Sequence, residues 1–409
     1  MESQQQVNIR PEVKEIEEQI IQYRRQIHQY PETAYEEIQT GKFIVEQLQK
    51  HTKNLQIIQN VGKTGVVAIL KGNIESDRCI LFRADIDALN LEEDTNLPFK
   101  SKIKGKHHAC GHDGHTAMLL GAAIIADKWV DKIKGTIKFC FQPAEEGGAG
   151  AKAMINDEKY PVLQNPEVQK CYAIHLTNGN YPPFIGIAKG PATASSDRIT
   201  IDIIGKGSHA MLPDQGIDAM MIGCQLVQSL YTITSRNIDP THPFTLSIGK
   251  IEGGTSANIV SAKCHIEGTT RALHPEDREI AKNRIQQIID GFKISYQCEI
   301  KYNYKKGYDI TMNDIETADH FIKSASKIKK VETQQFGMAG EDFSYFTLQK
   351  PCAYFTIGSA LPGNIQNNGK TVFCGHHSPT FDFDEKCLAI GCSVWVQLIE
   401  DKMINFEDI

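Results

Sequence analysis

No stretch of the 409 residues is apolar over the length needed to cross a bilayer. Residues 1–10 are polar, without the apolar core of a secretory leader. A basic surplus is missing too: 44 Lys and Arg against 50 Asp and Glu leave a net charge of −6. Nothing therefore favours nucleic acid or an anionic membrane as a partner, since both need excess cationic side chains. The eleven cysteines have no repeating spacing and their number is odd, which argues against a paired disulfide framework and for free thiols in a reducing, cytoplasmic setting. No Gly-x-Ser-x-Gly elbow supports a serine hydrolase. Gly205-Lys206-Gly207 lacks the third glycine of a dinucleotide loop. Internal repeats are absent.

What is present is an ordinary globular composition, 41% hydrophobic and 23% charged. The length exceeds a single ordinary core, so two domains are expected. Ile16, Ile20, Tyr23 and Ile27 recur at helical spacing and predict a helix over 12–30, ended by Pro31; a second helix is expected over 36–51. Short apolar strands are expected at 66–70, 79–82, 135–141 and 171–174, with a helix over 116–130 between them. Strands alternating with helices indicate an α/β class with a mixed-sheet domain. From about residue 190 the order changes to strand 197–204, helix 217–234, strands 244–251 and 263–271, helix 276–289 and strand 293–304. That order is the split-βαβ, ferredoxin-like unit, read as an α+β domain of residues 190–304 inserted into a discontinuous domain of residues 1–189 and 305–409. The α/β pattern resumes with helix 314–329, strand 353–357 and helix 385–398, and 362–370 reads as a loop.

The densest chemistry lies in nine residues, His107-His108-Ala109-Cys110-Gly111-His112-Asp113-Gly114-His115, which hold four of the fourteen histidines. Thiolate, imidazole and carboxylate are metal ligands, suited to zinc and, with carboxylate, to manganese. Cys110 and His112, one residue apart, are expected on one side of a loop, with Gly111 and Gly114 permitting unusual backbone angles. A polar loop whose His107, His108 and His115 merely cap the following helix is the plainer alternative; His108 could also serve as a further ligand or proton carrier. Asp85, Asp87, Glu145, Glu146 and His175 all fall beside the C-terminal ends of predicted strands, the edge where open α/β sheets bind ligands. Adjacent Glu145 and Glu146 point different ways, so one can bind metal while the other acts as a general base. His376 and His377 form a second histidine pair before Ser378-Pro379. In the insert, His209 follows Gly207-Ser208, and Arg271 offers a fork suited to a carboxylate.

Taken jointly, these motifs resemble the M20 metallopeptidase family, in its amidohydrolase branch of N-acyl-amino-acid, hippurate and auxin-conjugate hydrolases. The resemblance rests on Arg24-Arg25-x-x-His28, Arg83-Ala84-Asp85-Ile86-Asp87, Ala109-Cys110-Gly111-His112-Asp113-Gly114-His115, Gln142-Pro143-Ala144-Glu145-Glu146, His175-Leu176, Gly207-Ser208-His209, Ala257-Asn258, Gly268-Thr269-Thr270-Arg271, Gly340-Glu341-Asp342-Phe343 and His377-Ser378-Pro379. It implies two divalent cations, zinc or manganese, held by Cys110, His112, Glu146, His175 and His377, with Cys110 between them. It further implies Glu145 as general base and acid, His209 as an oxyanion donor reaching across a homodimer built through the inserted lid domain, and Asn258 and Arg271 as groups holding the substrate. Asp85 and Asp87 are read as carboxylates that support the ligands. The expected reaction is hydrolysis of the amide bond of an N-acyl amino acid. The rival is a metal-binding homologue of little activity serving a structural or assembly role.

Overall fold

In the strand Gly65–Lys71 every residue before the last is buried, as expected of a strand covered on both faces. It belongs to an eight-stranded mixed sheet in the computed structural model, which describes residues 7–334, 337–365 and 374–408. The chain divides into two compact units. The first comprises the chain up to Gly190 with segments starting at Met312 and Tyr345; the second comprises Pro191–Thr311 and a segment ending at Ser344.

The sheet of the first unit runs in the order Leu55–Val61, Gly65–Lys71, Lys134–Gln142, Ile74–Asp85, Lys170–Thr177, Cys352–Gly358, Ile185–Ile187 and Glu332–Thr333. The four strands from Lys134–Gln142 to Cys352–Gly358 are mutually parallel. Their C-terminal ends therefore share one edge. The helix His112–Asp127 is buried along its whole length and packs against helices Glu17–Gln29 and Lys386–Ile399. An apolar helix of this kind has no solvent face and belongs inside a core.

Of the boundaries that differ from expectation, three have a local physical reason. The first helix divides into Pro11–Lys14 and Glu17–Gln29, because Ile16 leaves helical geometry at φ −120°. The central helix begins at His112 rather than Thr116, since its polar first turn interrupts the apolar periodicity. The strand expected from Lys293 starts at Glu299, after a left-handed Gln297. Residues 293–296 instead continue the helix Pro275–Tyr296, where Ile285, Ile289, Phe292 and Tyr296 keep the helical period against one core. Most of the loop expected over 362–370 lies outside the described residues.

In the second unit a four-stranded antiparallel sheet runs Phe244–Gly253, Lys263–Ala272, Asp197–Ile204, Glu299–Lys305. Ile199, Ile201 and Ile203 alternate inward and meet helices Ala219–Arg236 and Pro275–Tyr296 in a separate core. Chain order and strand order are those of the split-βαβ unit. Among the described residues no helix is long and apolar enough to cross a membrane.

Candidate metal centre

The parallel strand ends deliver the polar groups of the first unit. Asp85 is the last residue of Ile74–Asp85, and His175 lies inside Lys170–Thr177 rather than beyond it. Glu145 and Glu146 follow strand Lys134–Gln142 through a turn in which Ala144 has φ +53°. Glu37 stabilises that turn by accepting the Ala144 N–H at 2.9 Å. Cys110 precedes the central helix and His112 opens it. Gly111, at φ +94°, makes the corner between them, a conformation that costs a side-chain-bearing residue energy. Gly114 is needed for space instead: a Cβ there would lie 2.8 Å from Phe383 and 2.9 Å from Leu176. His377 is anchored by its N–H to the Ala109 carbonyl at 2.7 Å.

The donor atoms of Cys110, His112 and His175 lie within 4.8 Å of one another, and so do those of Cys110, Glu146 and His377. Cys110 is common to both groups. Its Sγ is 3.5 Å from His175 Nε2. Glu146 Oε1 is 3.0 Å from His377 Nε2 but not aligned for a hydrogen bond. His112 Nε2 and Glu146 Oε1 are buried without a hydrogen-bond partner. Buried polar atoms are rarely left so. A soft thiolate, three imidazoles and a carboxylate, with His112 Nε2 and Glu146 Oε1 lacking hydrogen bonds, fit divalent cations.

Neighbouring groups hold these donor residues in place. His112 Nδ1 donates to the Asp87 carbonyl at 2.8 Å, which leaves Nε2 as its free donor atom. Asp87 Oδ2 accepts the Glu146 N–H at 2.9 Å. Asp85 takes Arg83 Nη1 at 2.8 Å and His115 Nδ1 at 2.6 Å. His115 Nε2 in turn accepts the Leu176 N–H at 2.9 Å. Both ring nitrogens of His115 are thus engaged, so it neither caps the helix nor offers a lone pair; it braces two strand ends. Burial opposes charge on Asp85, yet Arg83, His112 and His115 hold its carboxyl well below the usual range. Burial and Glu146 oppose ionisation of Cys110, but His112 and His175 outweigh them and keep it a thiolate, the form that binds metal. His112 is likewise raised against burial by Asp85 and Cys110. His377 is pushed up to about 10 by Cys110 and Glu146. These protons are the ones metal binding would displace.

Glu145 is buried beside Glu146. His376 accepts the Asn178 N–H at 3.3 Å, with its ring 5.5 Å from that of His175. His107 and His108 are buried; burial pushes their imidazoles down, to about 4 and about 3. Sequence reasoning assigned no role to the group behind the centre. There Asp113 accepts from Arg24 Nε at 3.0 Å and His28 Nδ1 at 2.8 Å, and Arg24 also meets Asp382 and Glu385. Its signals in the sequence are the motif Arg24-Arg25-x-x-His28 and Asp113 within the His/Cys cluster.

His209, Asn258 and Arg271 belong to the second unit. His209 pairs with Ile259 in a short antiparallel bridge, and Asn258 O accepts the Ala210 N–H at 3.0 Å, so His209 and Asn258 share one two-stranded ladder. Arg271, on strand Lys263–Ala272, donates to Thr269 Oγ1 and to the Thr270 carbonyl.

Residues 81–401 match the peptidase family M20/M25/M40. The chain belongs to this family. It is 38% identical over 388 residues to thermostable carboxypeptidase 1 of Saccharolobus solfataricus, covering 94% of this chain and 95% of that one. It is 34% identical to the hippurate hydrolase of Campylobacter jejuni, covering 96% and 98%. The crystal structure of a Bacillus subtilis dinuclear metal-binding peptidase of the M20 family superposes with a TM-score of 0.81 at 28% identity, covering 96% and 100%. This M20 chain is accordingly a metal-dependent hydrolase of amide bonds.

Proposed function

We propose that this enzyme hydrolyses the amide bond of N-acyl amino acids at a centre of two divalent cations, zinc or manganese, held by Cys110, His112, Glu146, His175 and His377. The observation that carries the reading is the position of Cys110, common to two three-donor groups. A hippurate hydrolase and a carboxypeptidase among its relatives both suggest an amide bond next to a free carboxylate, the arrangement in an N-acyl amino acid. Cations bound there supply Lewis acidity to the amide carbonyl and to water. Glu145, next to the ligand Glu146, takes a proton from the attacking water and delivers it to the leaving nitrogen. Asp85 and Asp87 hold the ligands in place. On the family resemblance, His209 donates to the developing oxyanion across a homodimer formed through the inserted domain, and Asn258 and Arg271 hold the substrate carboxylate.

The test is a panel of N-acyl amino acids offered to protein loaded with Mn²⁺ or Zn²⁺, with release of the free amino acid as readout. Turnover on at least one member, lost on chelation and restored by the metal, is expected. No turnover across the panel with a fully loaded centre would contradict the reading and favour a structural role.

A further inference from the structure

A second set of donors lies behind the metal centre, in the same unit. His28, Glu93 and His107 are buried, and their donor atoms lie within 4.8 Å of one another. His28 Nδ1 is committed to Asp113, whose charge is met by Arg24. That bond turns His28 Nε2 toward Glu93 Oε2, 3.5 Å away, in a long ion pair. Two donors at about 2.0–2.1 Å from one tetrahedral zinc lie roughly 3.4 Å apart. His107 has neither ring nitrogen partnered, and both are buried. Its ring meets that of His28 at 5.3 Å, nearly perpendicular. Phe99 and Phe381 flank the two rings at 5.6 Å and 6.4 Å, which leaves little polar surface for water to satisfy the orphaned nitrogens. The chain Arg24–Asp113–His28 reproduces the carboxylate–histidine–metal arrangement that orients ligands in zinc proteins. Successive helix residues point about 100° apart, so His112 serves the first centre while Asp113 serves this one.

We infer that His28, Glu93 and His107 form a further divalent-cation site, of the zinc class, that braces the core behind the centre rather than taking part in hydrolysis. Glu93 supplies the compensating charge and is itself fixed by the Ser101 N–H at 2.7 Å.

The experiment is metal analysis of the full chain loaded with zinc and freed of excess, compared with His107→Leu and Glu93→Gln, together with zinc-edge anomalous diffraction from the unaltered protein. Each variant is expected to lose one equivalent of zinc and, when loaded with cobalt instead, to keep the cobalt–thiolate absorption band that reports Cys110. The anomalous map is expected to show a peak among His28 Nε2, Glu93 and His107. If the variants fold poorly, the map decides alone. Equal zinc content in all three proteins, or no peak at this position in zinc-loaded crystals, would overturn the inference. Neither readout depends on turnover, so this site and the proposed activity stand or fall separately.

Discussion

Asp87 accepts the backbone N–H of Glu146 on its carboxylate at 2.9 Å while its carbonyl holds His112 Nδ1 at 2.8 Å. One residue thereby fixes a member of each of the two donor groups around Cys110. Asp87→Ala removes the carboxylate and frees the Glu146 turn. Metal affinity should fall about 10–100-fold, the usual cost of losing such a partner. Competition with a calibrated chelator measures it. Unchanged affinity would show that the turn is held by other contacts.

Glu145 is buried next to Glu146 but belongs to neither donor group around Cys110. Glu145→Gln keeps its size and removes its basicity. The turnover number should drop by roughly 10²–10⁴ with metal content unchanged. Steady-state kinetics and metal analysis on one preparation separate the two. Loss of metal along with activity would make Glu145 a ligand instead.

In the second unit Asp197 accepts from Arg278 at 2.8 Å and 2.6 Å, from the Gly307 N–H at 2.9 Å and from Tyr304. Burial raises its carboxyl, but these partners outweigh it and hold the group below the usual range. A depressed folded value means that the contribution is complete above the ordinary aspartate value of about 4 and fades as pH falls through the folded one. Arg278→Met leaves a buried carboxylate unpaired and should cost about 3–5 kcal/mol at pH 7. Protonation relieves that cost, so the stability gap to the unaltered protein should narrow in acid. Denaturant titrations at pH 7 and pH 4 check the sign; a gap that widens in acid would contradict it.

How far these features are legible in the sequence depends on distance along the chain and on period. Cys110 and His112 stand out because two ligand types sit one residue apart, and Glu145-Glu146 because a charged pair follows an apolar strand. His175 is legible only as a polar interruption of such a strand. Asp113 is not: the helix opens at His112, four residues before the expected Thr116, and that turn carries Asp113 away from the Cys110 donor groups toward Arg24 and His28. His107 reads as polar loop because nothing local announces that Phe381, far along the chain, will pack against it. In the second unit, strand Asp197–Ile204 matches expectation residue for residue since its alternation is clean, whereas residues 293–296 alternate and repeat helically at once, and the core against Phe292 and Tyr296 decides for the helix.

The central claim is that one thiolate serves two cations. Anomalous diffraction from crystals loaded with Mn²⁺ or Zn²⁺ tests it most directly. Two peaks should flank Cys110 Sγ, each at about 2.3 Å if zinc, one reached also by His112 and His175 and the other by Glu146 and His377. A single peak at this centre, or a pair of which either lies beyond bonding distance of Sγ, would contradict the account.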